Sequence, residues 1–150
     1  MSGLHRFGGV VAFVLASVTP VAAQQAVPAG HIKTVSGGAF VVRENATIPA
    51  RPGEAIFASD VLRTSVGGAI GITLKDDTRI SLGSDSEVRI DRYVYAPGEG
   101  GLGMVLKFVR GVAVYVSGRI AKLAPDSIRL ESPAAIIGVR GTTLAIRVDS

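Results

Sequence analysis

From Ala69 to Asp91 the apolar residues fall on every second position. Ile70, Ile72 and Leu74 alternate with Gly71 and Thr73, Ile80 and Leu82 with Arg79 and Ser81, and Val88 and Ile90 with Glu87, Arg89 and Asp91. A period of two, with charges between the apolar residues, describes strands that turn one face to a core and one to water. A helix would need apolar residues three and four apart. Asp76-Asp77 and Gly83-Ser84-Asp85 break the alternation with residues that favour turns. Such breaks return about every 8–10 residues along the chain, the spacing of short strands in a sandwich, barrel or roll.

The same texture extends in both directions. Ile32 to Val35 and Ala39 to Val42 are short β-prone runs split by Gly37-Gly38, and Arg51-Pro52-Gly53 separates them from Val61 to Thr64. Ala96 to Gly103, glycine-rich and opened by Pro97, reads as a loop. Met104 to Val109 and Val112 to Val116, joined by Arg110-Gly111, are apolar in both phases. Both faces of these strands are therefore expected to be covered, with Lys107 at an edge. Leu144, Ile146 and Val148 alternate in a last strand, and a short helical turn is expected near Ala121 to Leu123. The expected fold is all-β, with short twisted strands forming a roll or β-helix-like stack, and a β-sandwich as the alternative. One strand and one turn per unit suggest a quasi-repeat without a fixed motif.

The first residues describe a different object. His5 and Arg6 precede an apolar run from Val10 to Leu15, and Val21-Ala22-Ala23 follows Pro20. That order is the basic, apolar and small-residue sequence of a secretory signal peptide, with cleavage after Ala23. The run is too short for a bilayer span, which needs about 20 residues. The expected organisation is a signal peptide over 1–23, a flexible N-terminus over 24–31 and one β domain over 32–150. An exported chain without cysteine has no disulfide framework and must be held by its core.

Composition excludes several function classes. The formal charge is +4, one unit less once the segment with Arg6 is removed, and the basic residues stand singly among acids. Nucleic-acid binding would need a basic stripe and stacking aromatics, whereas aromatics are 5 % of the chain and Trp is absent. Of the two histidines, His5 leaves with the signal and His31 stands near the mature terminus without partners, which removes most readings that need a Ser-His pair or a histidine metal cluster. Asp85, Glu87 and Asp91 lack calcium-loop spacing and read as a charged outer face. Gly98, Gly100 and Gly103 spell a dinucleotide fingerprint, but no strand-loop-helix unit surrounds them, so they read as a hairpin loop. Asn45-Ala46-Thr47 reads as a turn. No cofactor and no catalytic residue follow from these residues.

Three segments carry a family resemblance. Arg51-Pro52-Gly53-Glu54-Ala55-Ile56 leads to Ser59-Asp60-Val61-Leu62-Arg63-Thr64. Ala69 to Val88 holds a paired-strand pattern around Asp76-Asp77-Thr78. Ser132-Pro133-Ala134-Ala135-Ile136-Ile137-Gly138-Val139-Arg140-Gly141-Thr142-Thr143-Leu144 closes the domain. Together, from Thr34 to Val148, they resemble the FecR domain. The resemblance implies an all-β extracytoplasmic domain of β-helix or roll character. The family's signalling members are membrane anti-sigma regulators, but this chain shows neither their cytoplasmic N-terminal region nor their membrane span, and it more closely resembles the exported FecR-only proteins. In those regulators the Gly-Thr step matching Gly141-Thr142 is a self-cleavage point, where a threonine hydroxyl attacks the preceding carbonyl. The reading adopted is a tight bend at Gly138 and Gly141, with Thr142 opening the last strand. The expected function is an exported, non-enzymatic FecR-like binding or regulatory module of the bacterial envelope, periplasmic or secreted. Its partner would be an envelope protein or polymer, met through a strand edge or the Gly98 to Gly103 loop. The alternative is a structural envelope protein that associates with its own copies through a strand edge.

Overall fold

The computed structural model describes residues 26–137 and 142–149, besides the isolated Gly3, Gly8, Gly9 and Ser17. Twelve strands make one sheet that curls into a half-barrel. They are β1 (Gly30–Ser36), β2 (Ala39–Arg43), β3 (Ala46–Pro49), β4 (Ala55–Ile56), β5 (Val61–Thr64), β6 (Ala69–Leu74), β7 (Arg79–Leu82), β8 (Glu87–Ala96), β9 (Gly101–Val116), β10 (Ile128–Glu131), β11 (Ile136–Ile137) and β12 (Thr143–Val148). A helical turn, α1 (Arg119–Leu123), lies where one was expected. No helix among the described residues is long and apolar enough to cross a membrane.

The sheet has two walls. The first runs β4-β1-β6-β7-β9-β12 and the second β3-β2-β5-β8-β9-β10-β11, with β9 common to both. The described pairings are antiparallel except β9 with β10. The chain therefore shuttles between the walls: β1 in the first, β2 and β3 in the second, β4 in the first, β5 in the second, β6 and β7 in the first. This winding is the physical basis of the quasi-repeat, and the curled sheet is the roll among the expected arrangements.

One core lies between the walls. Ile32, Ile72, Leu74, Ile80 and Tyr115 come from the first, and Leu62, Val88, Ile90, Leu106, Phe108 and Leu130 from the second. Each fully buried aliphatic side chain contributes about 1.5–3 kcal/mol. The even-numbered positions of β6, β7 and β8 supply their buried residues, as the alternation required.

The crossings at one end stack into a ladder of glycine and serine. The Ser65 N–H donates to the Gly38 carbonyl at 3.0 Å, and the Asp85 N–H donates to the Ser65 carbonyl at 3.1 Å. The Gly67 N–H donates to Ser84 Oγ at 2.8 Å. A Cβ on Gly68 would collide with the Gly38 carbonyl, so the layers approach this closely only without a side chain.

Several expectations need correction. The sheet begins at Gly30, before the expected boundary at Ile32, because Ala29 is 2 % exposed and its N–H bonds Ile56. Gly98 to Gly103 is a tight hairpin tip. Only Pro97–Glu99 and the left-handed Gly100 separate β8 from β9, and Gly101 to Gly103 already pair with β8. Arg110-Gly111 does not divide the chain into separate strands but bends a single one, with Gly111 at φ 83°. At this bend the inward phase passes from Met104, Leu106 and Phe108 to Ala113 and Tyr115. Lys107 is not at an edge, since it pairs with Arg89 of β8 and Glu131 of β10. Nor is β9 covered on both faces, because Val112 and Val114 are 37 % and 41 % exposed.

Candidate functional site

The buried polar side chains among the described residues are Asp60, Thr64, Asp76, Thr78 and Ser86. Thr64 closes β5, while Asp60, Asp76, Thr78 and Ser86 stand just outside strand ends, and all five keep the even-numbered inward phase of Leu62, Leu74, Ile80 and Val88. Each must be bonded to be tolerated there.

Asp60 accepts from Arg43 Nε and Nη2, both at 2.8 Å, and from the Phe57 N–H at 2.8 Å. The Arg43 guanidinium lies 4.7 Å from the Phe57 ring centre, a cation–π distance. The bond to Asp60 raises the Arg43 pKa above its ordinary value. Thr64 Oγ1 donates to the Gly83 carbonyl at 2.6 Å and accepts from the Ser86 N–H at 2.9 Å. Ser86 Oγ donates to the Ser84 carbonyl and accepts from the Val112 N–H, each at 2.9 Å.

Asp76 is the most heavily bonded of the five. Its carboxylate accepts from Thr78 Oγ1 at 2.8 Å, the Thr78 N–H at 3.3 Å, the Tyr93 hydroxyl at 2.8 Å and the Ile120 N–H at 3.2 Å. Burial, and then the neighbouring carboxylate, push the Tyr93 phenol well above its ordinary pKa. These groups fix crossings: β5 and β9 to the turn between β7 and β8, and β8 and the start of α1 to the turn after β6. Their acceptors and donors are occupied by the fold itself, which suits a structural role and leaves none poised as base or nucleophile.

The residues singled out in the sequence fare as follows. Asp85, Glu87 and Asp91 are not gathered. They face Arg110 at 3.3 Å, Arg63 at 2.7 Å and Arg89 at 3.5 Å respectively. No group of acidic residues and histidine able to hold a metal occurs among the described residues. His31 is exposed in β1, and Asn45 sits with Glu44 in the left-handed turn from β2 to β3. Ala23 and Gly141 lie outside the described residues, as do Gly138, Val139 and Arg140. Thr142 is exposed, and its carbonyl accepts from the Ser117 N–H at 2.8 Å.

What sequence reasoning did not mark is the contrast between the outer faces. On the second wall the outward residues form ion pairs, Arg63 with Glu87 and, at 3.7 Å, Arg129 with Glu131. On the first wall two rows cross the strands in register: His31, Thr73, Arg79, Val116 and Thr143, then Thr34, Gly71, Ser81, Val114 and Ala145. Neither row holds an acidic residue, and the second has no charge at all. A shallow depression of about 430 Å³ opens here, lined by Ser81, Gly83, Val112, Val114, Ala145 and Arg147. The signal was present as valines in the outward phase of β9.

Among the described residues this face ends at an open edge. The second wall ends in β3, which carries Pro49, and in β11, which is two residues long; the first begins at β4, also two residues long. Proline and shortness are the usual protections of an edge. The other end of the first wall is β12, six residues without proline, paired with β9 along one side only among the described residues. The bond from Ser117 to Thr142 sets the phase of that ladder. Leu144, Ile146 and Val148 bond toward β9, so the N–H and C=O groups of Thr143, Ala145 and Arg147 point outward.

A family model described as FecR protein matches residues 60–150. The matched region begins at Asp60 and contains all five buried polar residues. No curated protein and no solved structure matches the chain significantly.

Proposed function

The chain belongs to the FecR family, and on that premise we propose that it is an exported, non-enzymatic regulatory module of the bacterial envelope that works by binding through its surface. The observation that carries this reading is the pairing of two features on one wall among the described residues: outward rows without an acidic residue, and beside them a strand edge paired along one side only. Strand addition to such an edge supplies main-chain hydrogen bonds, and the neighbouring side chains supply selectivity. The signal-peptide pattern read over residues 1–23, with cleavage after Ala23, supports a periplasmic or secreted location for this activity. The buried polar groups are committed to crossings, which fits binding better than catalysis.

The test is site-directed photo-crosslinking in living bacteria. A photo-reactive residue is placed at Val114 or Ala145 on the first wall, and at Arg89 on the second. Adducts in the envelope fraction from the first two positions, and none from Arg89, are the expected result. Equal labelling from all three positions, or none from any, overturns the assignment of this surface.

A further inference from the structure

We infer that the β12 edge takes a second copy of this chain, joined antiparallel about a two-fold axis that passes Ala145. The inference rests on the reading of this surface as a docking site and names its occupant. A two-fold axis pairs each residue of one strand with a residue of an identical strand, so an edge can join itself only if it is self-complementary. β12 is. The outward main-chain groups belong to Thr143, Ala145 and Arg147, spaced symmetrically about Ala145. With the axis there, Ala145 meets the partner's Ala145 and Thr143 meets the partner's Arg147. Every outward N–H and C=O of the three residues then finds its complement within the strand. Shifting the register by two leaves one of them unmatched inside β12.

The side chains agree with this register. On the inner face Leu144 meets the partner's Ile146, joining two apolar residues where Leu144 is now only partly covered. On the outer face Ala145, the smallest side chain of the strand, is the residue that faces its own copy at the axis, so no bulky or charged side chain meets itself there. The two arginines face threonines and not each other, so no like charges stand opposite. The rows on the first wall then run on across the joint, Ser81, Val114 and Ala145 continuing into the partner's Ala145.

The test combines sedimentation with two substitutions. The purified chain should shift from monomer to dimer mass as concentration rises. Ala145→Pro removes an N–H that faces away from β9, so β12 should stay in the sheet. Its thermal unfolding should remain near that of the parent, while dimerisation weakens by at least about tenfold. Ala145→Cys brings two thiols to Cα atoms about 5.5 Å apart, the separation of a hydrogen-bonded antiparallel pair and within disulfide reach. Oxidation should therefore give a covalent dimer, whereas Thr143→Cys should do so only when mixed with Arg147→Cys. Monomer mass at every soluble concentration, or equal disulfide yield from Thr143→Cys alone, overturns the inference. If the chain is monomeric while the photo-reactive residue at Ala145 still captures an envelope component, the second copy is lost and the docking surface stands. If neither forms, both fail.

Discussion

Tyr93 and Asp76 bond each other in both directions: the Tyr93 hydroxyl donates to Asp76 Oδ1 at 2.8 Å and accepts from the Asp76 N–H at 2.9 Å. This exchange ties β8 to the turn after β6, while the same carboxylate holds Thr78 and the start of α1. Asp76→Ala would strand the Thr78 and Ile120 donors in a place that is 0 % exposed. A loss of at least about 3 kcal/mol is expected from unsatisfied buried donors. Asp76→Asn keeps one acceptor but turns an amide N–H₂ toward donors, so its loss should be smaller. Urea unfolding of the two variants measures the difference.

The same contact sets an alkaline limit. Burial, first, and the Asp76 carboxylate raise the Tyr93 pKa above 10.0, and burial raises that of Tyr115. In the unfolded chain both phenols ionise near 10, while the fold keeps them protonated. Their contribution is therefore fully present below pH 10 and falls as pH rises from there toward the folded values. Each phenol held protonated can contribute a slope of at most about 1.4 kcal/mol per pH unit, and Tyr93 less, since it is only half-buried and water screens it. Unfolding midpoints should be flat from pH 8 to about 9.5 and drop beyond 10. In Tyr93→Phe the drop should be shallower, and an unchanged slope would remove Tyr93 from the account.

Much of this fold was legible because period two is strict from Ile70 to Ile90, where a slip of one residue would turn every core side chain outward. The turns at Asp76-Asp77 and Gly83-Ser84-Asp85 were legible for the same reason, as polar residues interrupting an apolar phase. The strand partners were not, since alternation says which face is buried and not what lies alongside. The bend at Gly111 reads as a break because its phase change looks like the start of a new strand. Nor did the valines at 112 and 114 reveal that their face is open, because an apolar outward phase looks the same whether a layer covers it or not. The Asp60, Thr64, Asp76, Thr78 and Ser86 set was readable in principle, as polar residues standing where the phase demands apolar ones.

Arg43 and Asp60 form the pair most sensitive to geometry. Two nitrogens of one guanidinium reach the two oxygens of a carboxylate that is 1 % exposed. Arg43→Ala leaves that carboxylate with the Phe57 N–H and should cost about 2–4 kcal/mol, near the lower range for an abandoned buried charge because Arg43 itself is partly open to water. Arg43→Lys keeps the charge but cannot bond both oxygens from one plane, nor stack as well on Phe57. It should recover less than half of the loss in urea unfolding. Full recovery would mean that charge alone holds Asp60.

The proposed export would leave a mass signature. Protein recovered from the envelope fraction of an expressing bacterium should begin at Gln24, as cleavage after Ala23 requires. The Gly141–Thr142 bond should be intact, so Thr142→Ala should change the mass only by the substitution. A fragment boundary at Thr142 that disappears in this variant would instead assign the hydroxyl a role in cutting the chain.

Two glycines with nearly the same backbone angle separate conformational cost from collision. Gly67 has φ 79° and open space where a Cβ would stand, whereas Gly111 has φ 83° and the Ser86 hydroxyl and Asp85 carbonyl in that space. Gly67→Ala should cost only the left-handed penalty, about 1–2 kcal/mol. Gly111→Ala adds a clash against main chain that cannot withdraw without breaking the bond from the Val112 N–H to Ser86 Oγ. At least about 3 kcal/mol is expected, since strain and a lost buried hydrogen bond combine. Thermal unfolding of the two variants side by side reads the difference directly. Equal losses would mean that the bend in β9 relaxes away from Ser86, and that the passage of β9 from one wall to the other does not depend on this close approach.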